Sequence, residues 1–151
     1  MSKLIGVIFL IIVGAGFFLL LPTKTEKSSA PPLTSVKIGT VEKTATFTII
    51  TDNIVRNFNA SKYHNQSQDV FINADNPATV YVKKEGITWS DFFAALPMKL
   101  TKECLITGDG ETLCDKKQGI LKFYLNNKED KDLLDKEIRQ GDKALIQFTS
   151  Y

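Results

Sequence analysis

The two cysteines of the sequence, Cys104 and Cys114, stand in ECLITGDGETLC, the stretch from 103 to 114. Two thiols this close can close a structural disulfide, exchange disulfides with a partner, or hold a metal. Catalytic redox pairs are usually Cys-x-x-Cys at a helix N-terminus, where the helix dipole lowers a thiol pKa. Here nine residues separate the pair, and the flanking residues read as strands. Gly108-Asp109-Gly110 reads as a hairpin loop, with glycine supplying positive φ. Counting outward, Thr107 faces Glu111, Ile106 faces Thr112, Leu105 faces Leu113 and Cys104 faces Cys114. Directly opposed residues have Cβ atoms about 4.5–5.5 Å apart, within adjustment of disulfide geometry at a non-hydrogen-bonded pair. The expectation is a structural disulfide between Cys104 and Cys114, stabilising by roughly 2–3 kcal/mol. Thiol–disulfide exchange by the same pair is the alternative. Disulfides persist outside the cytosol, so the pair argues for an extracytoplasmic domain.

The remaining chemistry-bearing residues point to no catalytic constellation. His64 is the single histidine, in a polar segment that reads as surface, so a His-rich metal site has no ligands to build it. Asp109-Gly110-Glu111 lacks the spaced acidic and amide ligands of a calcium loop and reads as a turn. Glu129 and Asp130 adjoin in a charged loop and read as solvated surface. No phosphate-binding glycine loop occurs. The chain ends Thr149-Ser150-Tyr151 rather than in the Gly-Gly that a ubiquitin-like carrier needs. No cofactor, metal or catalytic residue is therefore expected. All but Lys3 of the 19 basic side chains follow the first segment, against 17 acidic ones, which gives no electrostatic footprint for nucleic acid.

The elements that must position the cysteines begin after an apolar segment. Leu4 to Leu21 runs 18 residues without a charge, about 27 Å as a helix and close to the hydrocarbon thickness of a bilayer. Small-x-small cleavage signals do not follow it directly; Ser28-Ser29-Ala30 lies well beyond, which leaves a cleaved signal as the alternative. The reading is a transmembrane anchor over 1–22, a Pro- and Ser-containing linker over 23–36, and one domain over 37–151. Positive charges on the two sides of the apolar run nearly balance, so orientation rests on the cysteines.

Within the domain, Ala45, Phe47 and Ile49 alternate with threonines, a period of two that predicts a strand. The Asn-rich segment after it reads as irregular apart from a short strand near Ile54 to Phe58. Strands are expected over VFINAD and over Ala78 to Lys84. ITWSDFFAAL predicts one helix, with Thr88 as N-cap, Asp91 completing a capping box, a Trp89, Phe92, Phe93 and Leu96 core face, and Pro97 as its stop. The cysteine hairpin, a strand over Leu121–Leu125, a helical turn in KDLLDKEI, the Gly141-Asp142 turn and a strand over Lys143–Phe148 complete an α+β order with one helix on one sheet.

That order, with "FYLNNKEDKDLLDKEIRQGDKALIQF" as its most specific part, resembles the β-grasp (ubiquitin-like) fold over about Ala78 to Phe148. The patterns "GITWSDFFAALPMKLT", "ECL…GETLC" and "LKFYLNNKEDKD…GDKALIQF" resemble uncharacterised single-pass membrane-anchored proteins of archaea and small-genome bacteria, over roughly Tyr63 to Phe148. Those proteins often carry histidines on the strand before the helix. TVYVKKEG has none here, so no metal site carries over. The resemblance implies a β-grasp-like mixed sheet behind a transmembrane helix. By analogy with other extracytoplasmic β-grasp domains, it implies a non-enzymatic binding or envelope-assembly module with an envelope protein as partner. The surface near Lys83, Lys84 and the Asn-rich segment is the expected contact region.

Overall fold

A computed structural model of the chain describes residues 42–151. The expected anchor over 1–22 and linker over 23–36 lie outside the described residues. Among the described residues no helix is long and apolar enough to cross a membrane.

The elements run β1 (Lys43–Thr51), β2 (Ile54–Val55), β3 (Val70–Phe71), β4 (Thr79–Val82), α1 (Trp89–Ala95), β5 (Lys99–Leu100), β6 (Cys104–Ile106), β7 (Thr112–Cys114), β8 (Gly119–Leu125), β9 (Lys128–Glu129) and β10 (Lys143–Ser150). Short 3-10 turns cover Ser61–Tyr63 and Leu133–Asp135. The order is α+β, mostly strands with one α-helix, as the sequence implies.

The larger sheet has the order β3-β4-β1-β10-β8-β9, with β2 also paired to β1. β1 and β10 lie parallel at its centre, from Thr46 opposite Lys143 to Thr51 opposite Phe148. β4 and β8 flank them antiparallel. The period of two in β1 sets which face is buried: Ala45, Phe47 and Ile49 are in the core, while Thr46 between them is exposed. Against that face α1 packs Trp89, Phe92 and Phe93, all essentially inaccessible to solvent. The rings meet edge to face, Phe47 with Phe92 at 5.0 Å and with Phe93 at 5.9 Å between centroids. Full burial of each such side chain is worth about 1.5–3 kcal/mol, which makes this contact a substantial part of what holds the helix to the sheet.

α1 starts and stops where its sequence dictates. Asp91 N donates to Thr88 Oγ1 at 3.2 Å, and Thr88 N donates to Asp91 Oδ2 at 2.8 Å, closing the capping box. Leu96, which precedes Pro97, is extended at ψ 154°, as the proline ring requires of its predecessor.

Several bounds differ from the sequence reading. Only Val70–Phe71 of VFINAD is strand, and β4 is shorter than Ala78 to Lys84. β8 begins at Gly119 rather than Leu121, and β10 continues past Phe148 to Ser150, because the two strands pair along their full length to Ser150 opposite Gly119. The cysteine hairpin is not isolated: β5 pairs with β6, giving a three-stranded sheet β5-β6-β7. Gly141, at φ 80°, makes the turn into β10, and the carboxylate of the buried Asp142 accepts from the Arg139 amide at 2.9 Å and from Asn126 Nδ2 at 2.9 Å.

Candidate functional site

Cys104 and Cys114 are joined in a disulfide, with their Cα atoms 4.1 Å apart. The register is the one counted from the turn: Cys104 opposite Cys114, Leu105 opposite Leu113, Ile106 opposite Thr112. Asp115 N donates to Glu103 O at 2.7 Å and Thr107 N to Glu111 O at 2.9 Å. Hydrogen-bonded pairs therefore alternate through 103/115, 105/113 and 107/111, which leaves the cysteines at a non-hydrogen-bonded pair, where opposed Cα atoms come closest. Leu105 and Leu113 alternate with the cysteines and point into the core. The base of the hairpin is thus fixed covalently and by burial, and its tip projects.

Facing that tip is a second hairpin. Asp52 and Asn53 both adopt positive φ, 49° and 64°, the two-residue turn whose twist matches paired strands. Asp52 Oδ1 accepts from the Ser150 amide at 2.7 Å and its hydroxyl at 2.9 Å, which ties the turn to the end of β10. Those bonds, the backbone one foremost, hold the Asp52 carboxyl below the usual carboxylate range. The turn delivers Ile54 and Val55 to β2 with 67% and 62% of their surface exposed. The chain then runs through Arg56 to the buried Phe58, whose ring meets Phe47 at 4.8 Å and Tyr63 at 5.0 Å.

Between the hairpins lies a cleft of about 360 Å³. Ile54 to Phe58 form one wall, Lys62 and Tyr63 a second, and Thr107 to Asp109 of the disulfide hairpin a third. Buried Ile49 and Leu105, with Met98, also line it. Two ion pairs bridge to the hairpin tip. Arg56 Nη2 donates to Glu111 Oε2 at 2.5 Å while its Nε donates to Thr51 Oγ1 at 2.6 Å. Lys62 Nζ donates to Asp109 Oδ1 at 2.8 Å and to Gly108 O at 3.3 Å. The hydrogen bond to Asp109 raises the Lys62 ammonium above its ordinary value, and the same bond lowers the Asp109 carboxyl. All four charged groups are at least partly exposed, so each pair contributes little to stability. Their effect is to set where charge stands around the cleft.

Of Asp109 to Glu111, expected as a turn, Asp109 stands in the hairpin turn while Glu111 already pairs with Thr107 beyond it, and each carboxylate meets a cation of the Asn-rich segment. A sequence signal was present: two acids on one loop tip, and Arg56 and Lys62 in a segment otherwise short of charge. The expected contact region divides. Its Asn-rich part supplies two walls of the cleft, while Lys83 and Lys84 do not line it. Lys83 Nζ stands 5.3 Å over the Phe71 ring, and Lys84 pairs with Asp69 at 3.2 Å. His64 is half-buried rather than fully on the surface, with Nε2 2.9 Å from the Phe58 carbonyl oxygen. Glu129 pairs with Lys122 at 3.5 Å and Asp130 with Lys136. Among the described residues no three His, Cys, Asp or Glu side chains gather as a metal-binding group.

Comparison of the chain with protein-family models, with curated proteins and with solved structures finds no match.

Proposed function

We propose that this chain is a single-pass membrane protein whose extracytoplasmic domain, β-grasp-like in fold, is a non-enzymatic binding or envelope-assembly module that works through the cleft between β2 and the disulfide hairpin. The observation that carries the reading is the cleft itself: two exposed apolar side chains on its lip, two cations in its walls, and a wall locked by the Cys104–Cys114 bond. The β-grasp reading is supported by the central parallel pair β1 and β10, flanked by antiparallel β4 and β8, with the helix following β4. The anchor reading is supported by the uncharged run from Leu4 to Leu21. The extracytoplasmic reading is supported by the disulfide.

Mass-tag labelling of thiols in intact cells, with and without reductant, tests this reading. Labelling of Cys104 and Cys114 only after reduction, in unpermeabilised cells, is the expected result. Free labelling without reductant, and only after the cells are made permeable, would invert the topology and overturn it.

The second reading is a thiol–disulfide protein using the same two cysteines; it is favoured by Cys104, which is half-buried rather than sealed in the core. A reduction potential below about −300 mV fits a structural bond, and a much higher one fits a labile bond.

A further inference from the structure

Resting on the binding-module reading above, we propose that the cleft takes a small amphipathic carboxylate, with its apolar body on Ile54, Val55 and Met98 and its carboxylate drawn to Arg56 and Lys62. Size comes first. At about 360 Å³ the cleft lies within the range of roughly 300–1,000 Å³ typical of small-molecule sites.

Apolar character comes next. Among the described residues four large apolar side chains stand exposed, and Ile54 and Val55, adjacent on the cleft lip, are two of them. Their exposure is built in: the Asp52-Asn53 turn fixes β2, and the Ser150 bonds fix the turn. With Met98 and buried Leu105 they make an apolar surface that runs from the rim inward.

Charge then selects the head group. The lining contains two cations, Arg56 and Lys62, and one carboxylate, Asp109. Glu111, the partner of Arg56, is outside the lining. Each cation is nonetheless matched by a carboxylate, Arg56 by Glu111 at 2.5 Å and Lys62 by Asp109 at 2.8 Å, so what the cleft offers a ligand carboxylate is the unused N–H donors of two cations. Both cations have donors to spare. A guanidinium carries five N–H groups, and Arg56 directs Nε and Nη2 to Thr51 and Glu111. An ammonium carries three, and Lys62 directs one to Asp109 and one, more weakly, to Gly108 O. A ligand carboxylate can accept from these spare donors without dismantling the clasp on the hairpin.

The sequence supplies its own reporter. The sequence holds two methionines, Met1 and Met98, and Met98 lines the cleft. The experiment uses the full chain, labelled with 13C at the methionine methyls, in phosphatidylcholine nanodiscs, titrated with 4-methylpentanoate and, separately, with its neutral amide. The expected result is a saturable shift of Met98 with the acid. The amide, Arg56→Gln and Lys62→Gln should each weaken binding by roughly fivefold to tenfold. Asp109→Asn should tighten it by roughly threefold, because Asp109 competes for Lys62; a merely structural role for Asp109 would not give a gain. An amide that binds as well as the acid overturns the carboxylate assignment. A Met98 resonance that moves for neither compound overturns the site. Either failure leaves the membrane topology untouched, because the thiol labelling reads that independently.

Discussion

The hydroxyl of Tyr63 occupies the space in which a side chain at residue 108 would begin: a Cβ built on Gly108 would lie 2.4 Å from the Tyr63 hydroxyl oxygen. The same atom would lie 3.0 Å from the Pro97 carbonyl oxygen and 3.1 Å from the Tyr63 ring carbon that bears the hydroxyl. One residue of the disulfide hairpin and one of the Asn-rich segment are thus fitted to each other across the cleft.

Gly108→Ala is expected to cost about 1–3 kcal/mol, the range for overpacking a fitted contact. Tyr63→Phe removes the nearest atom, so the double variant should recover part of the loss. Denaturant midpoints of the two single variants and the double variant form the cycle. An additive double variant would show that the clash is relieved elsewhere.

Replacing Cys104 and Cys114 together by alanine should lower stability by roughly 2–3 kcal/mol, the entropy expected for a loop of this size. The loss should fall most heavily on the hairpin. Amide exchange at Thr107 and Asp115, whose N–H groups bond across it, should quicken more than exchange in β1.

Trp89 is fully buried, and among the described residues its indole N–H has no hydrogen-bond partner. Trp89→Phe removes that orphan donor together with some volume, so its cost should stay under about 2 kcal/mol, against about 3–5 for Trp89→Ala. Thermal denaturation of both variants checks the contrast. A phenylalanine variant as damaged as the alanine one would mean that volume alone decides the site.

The capping box gives a pH dependence of known sign. Hydrogen bonds from the Thr88 amide, and then from its hydroxyl, hold the Asp91 carboxyl below its ordinary value near 4. Its folded pKa is thus lower than its unfolded one. The stabilisation is complete above about pH 4 and fades as the pH falls through the folded value. Asp130, held down by Lys136, and Glu137, held down by Lys43, act in the same direction. Stability should therefore decline below about pH 4, and Asp91→Asn should flatten part of that slope. At neutral pH, Thr88→Ala should cost about 1 kcal/mol. Urea midpoints between pH 2 and 7 measure both effects.

The parts legible in the sequence were those fixed by short-range rules. The hairpin register followed from counting out of Gly108-Asp109-Gly110, and the helix from Thr88, Asp91 and Pro97. What stayed hidden depends on residues far apart in the chain. β1 meets β10 across about a hundred residues, and no local pattern states that they run parallel. β2 was only half visible because Asp52-Asn53 is a less familiar left-handed pair than Asn-Gly. Asn126-Asn127, at φ 53° and 67°, hides the β8–β9 hairpin in the same way. The cleft was illegible as a unit, since its walls come from residues 49–63 and 98–109, which only the fold brings together.

The parallel pairing of β1 with β10 has a mechanical consequence. Lys43 starts β1 and Ser150 ends β10, so the two points where chain enters and leaves the described domain lie at opposite ends of its central strand pair. Tension applied between them would load the interstrand hydrogen bonds in shear, all at once, instead of unzipping them one by one. Forced unfolding is governed by the rate of crossing that barrier rather than by equilibrium stability. A domain strung between an anchor on one side and a load on the other would hold longest when pulled along this axis.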